Sequence, residues 1–109
     1  MKFSLVMPAY NSAKTIAESI DTVLAQTYEN WELIIVNDGS QDSTLDIVHS
    51  YIQRDSRIRV FSQENAGTAA ANNFGVSQAV GDFVTIFPSD DWLLQNYLDI
   101  FKEQIEVHP

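Results

Sequence analysis

Asp90 and Asp91 stand side by side in Phe87-Pro88-Ser89-Asp90-Asp91-Trp92, directly after the apolar run Phe83-Val84-Thr85-Ile86. Carboxylates held that close oppose each other's ionisation unless a cation lies between them. A divalent metal with hard oxygen ligands is one chemistry for such a pair. Capping of a helix N-terminus, where Ser and Asp accept free N–H groups, is the other. Two more residues invite the same double reading. Tyr10, in Pro8-Ala9-Tyr10-Asn11, offers a ring that either stacks on a base or packs on a helix. Asp38, before Gly39, either accepts a hydrogen bond from a base or a ribose hydroxyl, or simply forms a turn.

Each of these residues follows an apolar run that reads as a strand. Phe3 to Met7 is a short strand that Pro8 ends, because proline has no N–H for the ladder. Trp31 to Val36 is apolar almost throughout, as a strand covered on both faces must be. Arg57 to Phe61 alternates and reads as a more exposed edge strand, and Phe83 to Ile86 reads as a buried fourth strand. Between them lie helical patterns. One spans about Ala13 to Gln26, capped by Ser12 or Asn11, with Ile16, Ile20, Val23 and Leu24 as its buried stripe. A second is opened by Ser40 and Asp42 and carries Leu45, Val48, Tyr51 and Ile52. An alanine-rich third runs from Thr68 to Val80, with Ala70, Ala71 and Phe74 placed to face a sheet and Gly81 ending it. A fourth starts near Leu93, with Leu94, Tyr97, Leu98, Phe101 and Ile105 on one face. Trp31 and Trp92 read as packing residues, with Trp92 able to border a pocket. His49 reads as a helix-surface residue and His108 carries no signal.

Alternating strands and helices imply an α/β domain with a mainly parallel sheet, right-handed crossovers and helices on both faces. In such a sheet the C-terminal strand ends share one edge, where ligands bind. Tyr10, Asp38 and the Asp90-Asp91 pair therefore converge there by topology. The first turn has neither G-x-G-x-x-G nor G-x-x-x-x-G-K-[ST], which disfavours a dinucleotide cofactor and an NTPase loop. It also lacks the acidic pair of a phosphoryl receiver and the basic glycine-rich loop of a nucleotidylyltransferase.

The 109 residues make one domain of common size, with 45% apolar residues for its core. Fifteen acidic and six basic residues give a net charge of −9. That disfavours nucleic-acid binding and electrostatic docking on anionic lipid. With no cysteine, neither disulfides nor thiolate chemistry contribute. The N-terminal apolar run is too short for a signal peptide or a membrane span, so the expected location is cytoplasmic.

Five segments taken in register, Val6 to Asn11, Leu24 to Tyr28, Glu32 to Asp42, Glu64 to Gly67 and Ser89 to Asp91, resemble glycosyltransferase family 2 over essentially the whole chain. The resemblance implies a GT-A fold whose N-terminal half is Rossmann-like, with strand order 3-2-1-4. It implies a nucleotide-diphosphate sugar donor, expected to be a UDP-sugar, and inversion at the anomeric carbon. An acceptor glycan, glycoprotein or glycolipid would receive the sugar. By position, Pro8, Ala9 and Tyr10 would wall the base and ribose, and Asp38 would contact the base. Asn11, Gly67, Asn72 and Asp90 would complete the donor set. Asp90 and Asp91 would hold Mn²⁺ or Mg²⁺ against the diphosphate. The near absence of Lys and Arg from these loops, Lys14 being the nearest, fits a need for that cation.

Pro88 stands where many members carry Asp, and Asn72 where an Arg is common. The family's acceptor half and its general base lie beyond residue 109, so the chain reads as part of a longer transferase, for which a place peripheral to the membrane is the alternative location. Little transfer is expected from these residues alone. Without a second half, the fourth strand, with Val84, Ile86 and Phe87, would be a bare apolar edge that promotes homo-oligomers. The alternative reading is a non-catalytic nucleotide-binding or scaffold module of the same descent.

Overall fold

The computed structural model describes residues 1–107; His108 and Pro109 lie outside the described residues. Four strands and four helices alternate: β1 (Phe3–Ala9), α1 (Ile16–Leu24), β2 (Trp31–Asp38), α2 (Thr44–Ile52), β3 (Ile58–Gln63), α3 (Thr68–Gln78), β4 (Phe83–Ile86) and α4 (Tyr97–Val107). The strands form one parallel sheet in the order β3-β2-β1-β4, as expected.

Handedness then sets the layers. Two right-handed crossovers step from β1 to β2 to β3 and leave α1 and α2 on one face. The return from β3 to β4 runs the other way and puts α3 on the opposite face. The first face carries the larger core, in which Ile16, Ile20 and Val23 of α1, Val48 and Tyr51 of α2 and Leu98 of α4 cover Phe3, Leu5, Met7, Leu33 and Ile35. On the second face Ala71 packs on Ile34 and Val36. β2, covered from both sides, is buried along its whole length.

Several boundaries differ from the sequence reading. β1 runs through Pro8 to Ala9. The Phe87 N–H bonds the Val6 carbonyl, so the polar groups of Val6, and two residues on those of Pro8, face β4. Because β4 ends at Ile86, the missing N–H of Pro8 interrupts no ladder. α1 starts at Ile16 without a side-chain cap, since the Ser12 carbonyl takes the Thr15 and Ile16 N–H groups. α2 starts at Thr44; of the two residues expected to open it, Asp42 accepts the Thr44 N–H on Oδ1 at 3.0 Å, whereas the Ser40 hydroxyl is turned to the Asn11 N–H. α3 ends at Gln78, before Gly81, because the Val80 and Gly81 N–H groups turn to Glu32 and to the Ser4 hydroxyl.

α3 presents Ala71 and Gly75 to the sheet, and not Ala70 and Phe74. A Cβ on Gly75 would sit 2.3 Å from Val6 Cγ1, so only glycine permits this approach. Phe74 lies on the flank of α3, edge-on to Phe61. α4 starts at Tyr97; Leu94, expected on its buried face, is 77% exposed in the preceding loop. β4 is half-exposed, with Val84 at 42% and Ile86 at 41%, whereas Phe87, expected at that bare edge, turns into the core. β3 is an edge strand, as expected. No helix among the described residues is long and apolar enough to cross a membrane.

Candidate functional site

A cleft of about 760 Å³ opens at the C-terminal edge of the sheet. Its walls come from the end of β1 and the loop beyond it (8–15), from Asp38 at the end of β2 and Asp42 beyond it, from Thr68 and Ala71 of α3, and from Pro88, Ser89 and Asp90 after β4. Pro8, Ala9, Tyr10, Asn11, Asp38 and Asp90 are thus brought together. Gly67, Asn72 and Asp91 are not part of the lining.

Tyr10 stands at the rim, 52% exposed, so its ring is not packed on a helix. Asn11 takes a left-handed backbone conformation (φ 48°), which asparagine tolerates better than most residues. Its N–H bonds Ser40 Oγ at 2.9 Å, and its Oδ1 accepts the Gln41 N–H at 2.8 Å. The Ser12 N–H bonds Thr44 Oγ1 at 2.8 Å, and the Ala13 N–H bonds Asp42 Oδ2 at 3.2 Å. The loops after β1 and β2 are therefore cross-braced at four points. The Thr44 hydroxyl, helped by backbone N–H groups and opposed by partial burial, holds the Asp42 carboxyl below its ordinary range.

Asp38 is the buried acid of the cleft, only 4% exposed. Its Oδ1 accepts from Ala66 N–H at 2.8 Å and Gln63 Nε2 at 2.9 Å; its Oδ2 accepts from Gly67 N–H at 3.0 Å. Burial pushes the carboxyl upward, but bonds from Gln63, Ala66 and Gly67 outweigh it and leave the group below its ordinary range. Asp38 thereby clips the entry of α3 to the end of β2. Gly67 makes that clip possible, since its φ of 97° is open to glycine and strained for other residues. Asn72, one residue past Ala71, is partly buried, and its Oδ1 has no partner among the described residues.

The acidic pair divides. Asp90 is exposed and lines the cleft. Asp91 is also exposed, but its Oδ1 accepts the N–H of Trp92 at 2.8 Å, and the residue borders a neighbouring cavity. Trp92 beside it is 68% exposed and lies outside the cleft lining, so it is not the packing residue the sequence suggests; Trp31 is, under the Arg57 guanidinium. Among the described residues no three His, Asp or Glu side chains gather to cage a metal. One or two carboxylates do suit a magnesium-like ion that completes its shell with water and ligand phosphates. The donor set therefore fits an ion shared with a phosphate ligand. Lys14 is the basic residue among the lining.

Sequence reasoning missed the hydroxyl groups of the cleft. Ser12 Oγ and Ser89 Oγ meet at 2.7 Å and join the loops after β1 and β4, and Thr68 opens α3 onto the cavity. Serine and threonine are common in every loop, so no spacing marks them in advance.

The profile of Glycosyl transferase family 2 matches residues 4–109. The chain is 41% identical over 104 residues to glycosyltransferase GlyG of Streptococcus pneumoniae, covering 94% of this chain and 35% of that protein. TarS 1-349 of S. aureus in complex with UDP-GlcNAc superimposes with a TM-score of 0.92 at 34% identity, over 99% of this chain and 32% of that one. Mannosyltransferase PcManGT from Pyrobaculum calidifontis, in complex with GDP-Man and Mn²⁺, gives a TM-score of 0.80 at 26% identity, over 86% of this chain and 29% of that one. The chain spans about a third of the length of these proteins. With a sheet of order 3-2-1-4 and these superpositions, the fold is GT-A, and the chain belongs to glycosyl transferase family 2.

Proposed function

We propose that the cleft binds a nucleotide-diphosphate sugar, with UDP as the nucleotide, together with Mn²⁺ or Mg²⁺, for inverting transfer to a glycan, glycoprotein or glycolipid acceptor. The observation that carries this reading is the convergence of Tyr10, Asp38 and Asp90 on one cleft in a fold of this family. TarS has been captured with UDP-GlcNAc and PcManGT with GDP-Man and Mn²⁺, which supports both the donor class and the ion.

On this reading Tyr10 stacks on the base, and Pro8 and Ala9 wall the base and ribose. Asp38 offers Oδ2, the oxygen held at the longer distances by Gly67 N–H and Asn65 Nδ2, to the base. The N-terminus of α3 points unpaired N–H groups and a positive dipole end toward the phosphate side. Gly67 and Asn72, expected to complete the donor set, stand outside the cleft lining, so Thr68 and Ala71 are the α3 residues that face the ligand. Asp90 and Asp91 would hold the ion, which when bound supplies Lewis-acid charge to the departing diphosphate. The other acids of the cleft have structural duties, Asp38 on the entry of α3 and Asp42 on the opening of α2. We therefore place the base that deprotonates the acceptor outside this cleft, and expect little transfer from these residues alone.

Calorimetric titration with UDP, with and without Mn²⁺, tests the reading. Tight binding that needs Mn²⁺ and is lost in Asp91→Ala is expected. UDP affinity indifferent to both the ion and the substitution would instead favour a nucleotide-binding module with no metal chemistry.

A further inference from the structure

The apolar stripe of α1 is accompanied by a polar stripe beside it. Thr15, Ser19, Thr22 and Gln26 follow at helical spacing along one side of α1 and its flanks. Ser19 is wholly buried and Gln26 is 6% exposed. Every rung reaches the segment between β4 and α4. Thr15 Oγ1 donates to the Ser89 carbonyl at 3.0 Å, and Ser19 Oγ lies 2.9 Å from the same carbonyl and 2.7 Å from that of Asp91. Thr22 Oγ1 accepts the Leu93 N–H at 3.2 Å. Gln26 Nε2 donates to the Leu94 carbonyl at 2.7 Å, and Gln26 Oε1 accepts the Leu98 N–H at 3.1 Å.

An apolar α1 would bury the same area without polar groups to satisfy, and would let this irregular segment slide. Hydrogen bonds instead fix it to within a few tenths of an ångström. Ser19 occupies the decisive rung. A hydroxyl has one proton to donate, and here two carbonyls share it, those on either side of Asp90. The peptide groups before Asp90 and after Asp91 are thus drawn to one atom of a buried helix.

We propose that Ser19 is the positioning residue of the acidic pair: through the Ser89 and Asp91 carbonyls, α1 fixes the backbone from which the two carboxylates would reach the cation. This rests on the reading of Asp90 and Asp91 as the cation site. Ser19 touches neither ion nor nucleotide, so its effect belongs to the ion-dependent part of binding.

The test compares UDP affinity with and without Mn²⁺ in the intact 109-residue chain and in Ser19→Ala, with thermal unfolding recorded for both. The gain in affinity that Mn²⁺ confers is expected to fall by about tenfold in Ser19→Ala, the scale for losing an outer support of a metal ligand. Metal-free UDP affinity should stay within about twofold, because the loops after β1 and β2 keep their own braces. Ser19→Cys keeps a weak donor of similar shape and should recover part of the gain. It also serves as the comparison if Ser19→Ala does not fold. An unchanged Mn²⁺ gain in Ser19→Ala overturns the proposal and leaves the cation reading standing. An equal loss with and without Mn²⁺ shows a merely structural role and also overturns it. No Mn²⁺ gain in the unmodified chain removes the cation reading, and the proposal with it.

Discussion

Replacing Asp38 by Asn tests whether a charge clips α3 onto the sheet. The substitution preserves shape but turns one acceptor oxygen into an NH₂ group. If the remaining oxygen keeps the Ala66 and Gln63 bonds, the new NH₂ faces the Gly67 N–H, donor against donor. One bond is then lost, costing about 1 kcal/mol at the low end because water reaches the exposed Gly67. The other two change from charge-assisted to neutral, about 1 kcal/mol each. The expected loss is about 3 kcal/mol at pH 7, a large share of the 5–15 kcal/mol that stabilises a typical domain. Urea unfolding of both proteins measures it, and amide exchange of Ala66 and Gly67 should accelerate locally. The folded-state pKa of Asp38 is depressed. Its contribution is therefore complete above the unfolded value of about 3.9 and is lost as pH falls through the lower folded value. A protonated Asp38 presents one donor and one acceptor, much as Asn does. The gap between the proteins should thus close in acid, followed with sulfate present to keep both folded. A gap under about 1 kcal/mol at pH 7, or one that persists unchanged in acid, would refute the charged clip.

Two further outcomes are expected. Gly75→Ala puts a methyl group 2.3 Å from Val6 Cγ1 and 3.3 Å from Val36 Cγ2, both on fully buried side chains. Overpacking costs about 1–3 kcal/mol and helix propensity returns up to about 1, so a net loss of about 1–2 kcal/mol in urea unfolding is expected, relieved in part by Val6→Ala. We also expect the half-exposed β4 edge, with Val84 and Ile86 on the α3 side, to drive self-association. Light scattering at high concentration should give a mass above the monomer that Val84→Lys lowers; a monomeric wild type would sink this expectation.

The fold was legible where burial leaves no alternative. A strand covered on both faces needs an unbroken apolar run, and Leu33 to Val36 supplies one. The face of α3 was not legible, because Ala, Asn and Gly make no stripe. Its contact is set by a missing side chain, Gly75 over Val6. The opening of α1 was misread because the Ser12 hydroxyl is spent on Ser89, which is distant in sequence. Glu32 shows the same limit. It interrupts an apolar strand, and nothing nearby announces that Ser4, Arg59 and Val80 surround its buried carboxylate. In the cleft, Tyr10, Asp38 and Asp90 could be found because each stands at or beyond the C-terminal end of a strand. Their supporting hydroxyls could not.

That division has a physical cause. Parallel topology brings loop ends to one edge, but loops carry no ladder to fix them once there. Here the fixing is done by single side chains that reach the backbone of another loop. Asn11 holds the Gln41 N–H, Thr44 holds the Ser12 N–H, and Asp38 holds the N–H groups of Ala66 and Gly67. Such bonds leave the cleft rigid without filling it with charge. Lys14 is its basic lining residue, so on the proposed reading most of the charge opposing a diphosphate arrives with the ion or from the α3 N-terminus. Asp90 and Asp91 are both exposed, so neither carboxylate needs a buried partner for the chain to fold. Buried as deeply as Asp38, the pair would need donors like those that Gln63, Ala66 and Gly67 give Asp38. Exposed on a segment pinned from α1, it can wait in a fixed place for an ion that comes and goes with the nucleotide.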